Sequence, residues 1–278
     1  MKRILITLAA VLLTASTMSA QSLAEATKIA KTASEALSAA DYAAAVDGFK
    51  SALSIADKCG DAGVKLSEVC KGIIPKAMNA LAKQMLQKKD WDGALVKLRE
   101  ASLLAGEYAQ EDAAAEAAKL ISRAYMAKGT ELFEAEDFAA AAEVYKDALE
   151  ADASNGLAAL RYGMALEGEG KAEEALAAYQ CAASNGQSDN ANIQMGKYFL
   201  ARAMEKLGAK NYSEALDNAL KSNNYVENAQ ALQIAGQASQ LMGKSADAVK
   251  YYEQYLAAAP KAANASEVSA AIEALKKL

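Results

Sequence analysis

Residues 122–155, SRAYMAKGTELFEAEDFAAAAEVYKDALEADASN, and residues 156–189, GLAALRYGMALEGEGKAEEALAAYQCAASNGQSD, are two 34-residue copies of one pattern. Gly129, Ala141, Tyr145 and Ala148 of the first copy recur as Gly163, Ala175, Tyr179 and Ala182 of the second. Apolar residues flank the glycine at helical spacing, Tyr125 and Leu132 in one copy, Ala159 and Leu166 in the other. A polar break such as GEGK at 168 follows, and then a second apolar series. Each copy is predicted to be helix, tight turn, helix. Gly or Ala where two antiparallel helices cross lets them approach closely, and the large residue four positions after the alanine fills the gap beside it.

The pattern extends in both directions. Ala45, Ala94, Ala215 and Ala248 take the first alanine position in the other units. Phe49, Leu98, Ala219 and Tyr252 stand four residues on. The small residue about twelve positions earlier is Ala33, Ala82 and Gly236; Ala201 is expected to serve in the fifth unit, with two extra residues in its turn. A single helical hairpin cannot bury both its faces, so such units stack.

The chain resembles the tetratricopeptide repeat (TPR) family from about Thr27 to Asn264, and the 34-residue step is that family's period. It departs from the family where the first-helix Trp is missing; the one Trp, Trp91, falls at a turn. The terminal Pro is present only in the last unit, as Pro260. The resemblance implies an all-α, right-handed α-solenoid of about six helical hairpins. They are expected at about 26–59, 75–108, 122–155, 156–189, 194–229 and 229–262, in one domain spanning 21–278. The segment CGDAGVKLSEVCKGII is expected to lengthen the second unit's first helix, kinked or restarted at Pro75, and GEYAQEDAAAEAAKL to lengthen the third's. Residues 265–278 read as a capping helix, with Ser266 as its cap.

Composition agrees with this reading. There are 69 Ala and two Pro, the best and worst helix formers. There is no His, which excludes Ser-His-Asp and Cys-His catalysis and His-ligated metal sites. Gly243-Lys244-Ser245 lacks the earlier glycine of a phosphate loop, since Ala238 stands there. Acidic pairs such as Glu136-Asp137 and Glu173-Glu174 fall at helix starts, where the helix dipole favours them. No catalytic residue, metal ligand or cofactor is therefore expected. An excess of acid, net charge −5, argues against a general nucleic-acid partner.

The N-terminus, MKRILITLAAVLLTASTMSA, has a basic start, a short apolar run from Ile4 to Leu13 and small residues. It reads as a signal peptide cut after Ala20, which implies a soluble exported chain, periplasmic or extracellular. No Cys stands at the cut, so a lipoprotein is not expected. Export permits a disulfide between Cys59 and Cys70, an alternative to two unlinked thiols; Cys181 is left over.

In a TPR solenoid the first helix of each unit lines the concave groove. The first helices of units two to five carry nine basic and five acidic residues, a net of +4; the second helices carry six and eleven, a net of −5. The resemblance places Lys76, Asn79, Lys83, Arg123, Met126, Thr130, Leu160, Arg161, Met164, Tyr198 and Arg202 on the groove. Lys, Asn and Arg can hold a carboxylate, and Met and Tyr adapt to varied side chains. The reading is a non-enzymatic adaptor that binds a protein or peptide, through an acidic segment or a C-terminal carboxylate. The rivals are an exported small-ligand or glycan binder using the same groove, and a hydrolase with a paired-carboxylate site.

Overall fold

A computed structural model describes residues 17–277, all of whose regular structure is helical. The described residues fall into two compact units, the first ending at Lys128 and the second beginning at Gly129.

The first unit holds α1 (Thr17–Ser38), α2 (Tyr42–Asp57), a 3-10 turn (Gly60–Ala62), α3 (Val64–Gln87), α4 (Trp91–Glu107) and the first part of α5 (Glu111–Glu134). The second holds the end of α5, then α6 (Phe138–Ala151), α7 (Gly156–Gly168), α8 (Ala172–Ala182) and a short π turn. It continues with α9 (Ser188–Gly208), α10 (Tyr212–Tyr225), α11 (Ala229–Leu241), α12 (Ser245–Ala258) and α13 (Ala265–Leu275). The expected leader lies mostly outside the described residues.

Three of the hairpin turns share one device. Ala40, Lys89 and Glu136 take positive φ, and the next residue, Asp41, Asp90 or Asp137, caps the following helix. Each cap carboxylate accepts a hydrogen bond from an otherwise orphaned first-turn N–H, on Ala44, Gly93 or Ala140. In two hairpins the left-handed residue is glycine, Gly170 and Gly243.

The crossings are where the repeat pattern puts them. A Cβ built on Gly129 would stand 2.5 Å from the Tyr145 ring; Gly163 stands likewise to Tyr179, and Gly236 to Tyr252. In the fifth hairpin the buried small residue is Ala203, not Ala201, which is exposed. Ala203 packs with Ala219 at the ordinary twelve-residue step from Ala215, so that turn has no extra residues.

Both extensions are helical, and α3 runs unbroken through buried Pro75 instead of restarting there. Its first half packs Leu66, Cys70, Ile73 and Ile74 against α1 and α2. That packing holds the helix across the backbone hydrogen bond that proline removes. Cys70 is a buried thiol whose ionisation is pushed up to about 12, chiefly by burial and secondly by Asp57. Cys59 donates to Ile55 O at 3.3 Å. Cys70 faces the core from within α3, and Cys59 bonds back to the end of α2.

At the C-terminus, α13 covers Leu232, Tyr252 and Tyr255 with Val268, Ile272 and Leu275. Its N-cap is Asn264 rather than Ser266. The Asn264 side chain makes no cap bond; its Oδ1 accepts from the Tyr255 hydroxyl and ties the loop to α12.

Candidate binding faces

In the first unit the expected groove residues lie on α3 and α5. Lys76 and Lys83 are exposed two helical turns apart. Asn79, between them, is buried: its Nδ2 donates to Ala113 O at 2.9 Å and joins α3 to α5. The Oδ1 of Asn79 is buried without a hydrogen-bond partner. Lys83 pairs with Glu116 at 2.6 Å and holds that carboxyl below the usual range, first by hydrogen bonding and then by charge. Beside this pair is a cleft of about 200 Å³ lined by Lys83, Leu86, Gln87, Trp91, Arg123 and Ala127. Two cations thus border an apolar floor containing the indole. Met126 is half-buried on α5. A shallower hollow beside it is lined by Lys76, Asn79, Lys83, Asp112 and Glu116, so acids share this face with the lysines.

In the second unit Thr130 Oγ1 lies 3.3 Å from the Tyr145 hydroxyl. Burial pushes the Tyr145 phenol up, while the Thr130 bond and the Arg161 charge pull the other way. Arg161 and Met164 are half-exposed on α7, but Leu160 is buried in the core and lines no groove. Helix geometry explains this: Leu160 and Arg161 are adjacent, so they cannot face the same way. Tyr198 and Arg202, one turn apart on α9, converge on Glu173 at the start of α8. The Tyr198 hydroxyl donates to Oε2 at 2.7 Å and Arg202 to Oε1 at 2.8 Å. Burial first and Glu173 second push the Tyr198 phenol up.

Glycine packs against tyrosine at a 34-residue step in two successive hairpins, at Gly129 and Gly163. The fold is an all-α succession of helical hairpins. No family model and no curated protein matches the chain. Among solved structures it is similar to PilW, a type IV pilus biogenesis factor: 16% identity, 70% of this chain and 98% of that one covered, TM-score 0.36. It is similar to YrrB, described as a TPR protein with an unusual peptide-binding site, at 20% identity, 73% and 91% coverage and TM-score 0.35. It is also similar to PilF of Pseudomonas aeruginosa, at 15% identity, 72% and 98% coverage and TM-score 0.34.

Several cations read as groove charges are already paired: Lys83 with Glu116, Lys128 with Asp92, Arg202 with Glu173 and Lys206 with Glu214. The +4 excess on the first helices is therefore partly neutralised at close range. Sequence reasoning missed Leu86, Gln87 and Trp91. A Trp directly after the capping Asp90 was the available signal, since such a position opens a helix rather than filling its core. Among the described residues no group of His, Cys, Asp or Glu is placed to hold a metal, and no helix is long and apolar enough to cross a membrane.

Proposed function

We propose that the protein is a non-enzymatic adaptor that binds a protein or peptide segment carrying a carboxylate next to an apolar side chain. The cleft of the first unit carries this reading: Arg123 and Lys83 stand over a floor of Leu86, Ala127 and Trp91. Arg can take a carboxylate through two parallel hydrogen bonds, and an indole supplies rigid apolar area at little entropic cost. Exposed cations beside an aromatic suit a partner segment better than a catalytic step, which needs convergent groups with functionally tuned ionisation.

The test uses a photo-crosslinking amino acid at Ala127, compared with one at exposed Lys146 on α6. Capture of one discrete partner at Ala127 alone, lost in Lys83→Glu/Arg123→Glu, is the expected result. Equal capture at both positions, or capture indifferent to the charge reversal, rejects the cleft.

Export belongs to the same proposal. The first buried side chain among the described residues is Leu23, so a cut after Ala20 removes none of the described core. Intact-mass measurement of native protein should find Gln21 at or near the N-terminus. A retained Met1 sinks the export reading.

A further inference from the structure

Tyr198 and Arg202 project from the same face of α9, one turn apart. The Arg202 guanidinium lies 5.9 Å from the centre of the Tyr198 ring, and both side chains donate to one carboxylate. Each oxygen of that carboxylate has its own donor. The carboxylate belongs to Glu173, in the first turn of α8, on a different hairpin. It is well exposed, with 68% of its side chain open to solvent, and the Arg202 side chain is open to 38%.

A hydroxyl and a guanidinium set to take the two oxygens of one carboxyl group recognise carboxylate chemistry whatever chain supplies it. We propose that Tyr198 and Arg202 form a carboxylate-binding subsite of the second unit, and that Glu173 is its built-in competitor, displaced when an acidic side chain of a bound peptide arrives. The proposal rests on the peptide-binding reading above and adds to it a ligand group and a mode of control.

The energetics permit exchange. An exposed ion pair contributes at most about 1 kcal/mol, because water and salt screen it and two side chains must be ordered. Glu173 therefore lowers the apparent affinity of an outside carboxylate only by the fraction of time it occupies the donors. At about 1.4 kcal/mol per tenfold, its removal should tighten binding by roughly two- to fivefold. The helix dipole at the start of α8 favours a carboxylate there with or without a ligand, so a displaced Glu173 loses little.

The sequence contains five arginines, so the side-chain Nε–H region of an NMR spectrum is sparse, and Arg202→Lys assigns its signal. The full chain is titrated with N-acetyl-glutamate amide, which carries one side-chain carboxylate, and with neutral N-acetyl-glutamine amide as control. The Arg202 signal should move with the first compound and not the second. In Glu173→Ala the dissociation constant should fall by about two- to fivefold, and in Tyr198→Phe the response should weaken. Glu173→Gln, which keeps length and loses charge, should behave like Glu173→Ala. Circular dichroism melts confirm that each variant folds. An unchanged dissociation constant in both Glu173 variants overturns the proposal, as does an equal response to the neutral compound. Neither result touches the first-unit cleft, whose test is crosslinking at Ala127.

Discussion

A methyl group at Gly163 has nowhere to go: it would meet Tyr179 Cε1 at 2.5 Å and Ala175 O at 3.2 Å. The Tyr179 ring cannot swing aside freely, because it is buried and its hydroxyl donates to Glu167 at 2.7 Å. Burial first and that bond second push the Tyr179 phenol up, so it stays a donor at any ordinary pH. Gly163→Ala should therefore cost about 1–3 kcal/mol, read as a lower melting temperature, although alanine is the better helix former. The same change at exposed Gly106 in α4, where nothing lies within 4 Å, should stabilise by roughly 0.5–1 kcal/mol. Equal responses at the two positions would refute the close crossing. The cysteines differ in the same residue-by-residue way. Exposed Cys181 should react quickly with an alkylating reagent in the native protein, and Cys70 should not, since its thiolate is scarce and shielded. After denaturation in reductant Cys70 should be alkylated as quickly as Cys181; reaction of Cys70 at the Cys181 rate in the native protein would overturn its buried placement.

At the scale of elements, the hairpins were legible because the cause is local. A small residue, then an aromatic or apolar residue sixteen positions on, is a packing contact written into each repeat, as Gly129 with Tyr145 shows. Where that contact is absent the reading slipped, as at Ala201: alanine against alanine leaves the register to burial, which one sequence does not display. Pro75 departs from the expected restart for a related reason. Its intrinsic cost to a helix is local, but the packing of Ile73 and Ile74 that outweighs it comes from distant helices. The terminal helix α13 was legible as a cap, and its energetic role can be tested. Deleting residues 262–278 uncovers Tyr252, Tyr255 and Leu232. In a repeat stack such loss should be felt mainly by the neighbour. Amides of α11 and α12 should exchange with deuterium much faster, while those of α1 and α2 keep their protection. Unchanged exchange in α12 would show that α13 does not hold the last hairpin.

At the scale of the molecule, charge is the property that the sequence conveys least completely. A count along helices assigns Lys83 and Arg202 to a basic face, but it cannot see that Glu116 and Glu173 arrive there from other helices. Leu160 fails as a groove residue for the same reason: helical phase, fixed only by packing, turns it inward, whereas Asn79 is buried yet still lines the shallow hollow. What survives of the basic face in the first unit is exposed Lys76 and Arg123 beside Trp91, with Lys83 shared between the cleft and Glu116. This predicts a particular salt response. Exposed charges are screened with a Debye length near 8 Å at about 0.15 M, so added salt weakens both the attraction of a partner's carboxylate and the Lys83–Glu116 pair that competes with it. Partner binding should fall as salt rises, but less steeply than two unpaired cations would give. Glu116→Gln releases Lys83 and should steepen that dependence and speed association at low salt. Reversing Lys83 and Arg123 together should slow association and flatten the salt dependence, whereas reversing exposed Lys58 and Lys146 should change neither. Association rates measured across a salt series, for the partner captured at Ala127, decide the matter. If Glu116→Gln leaves the slope unchanged, the ion pair does not gate the cleft; if the double reversal also leaves it unchanged, the partner docks on another surface.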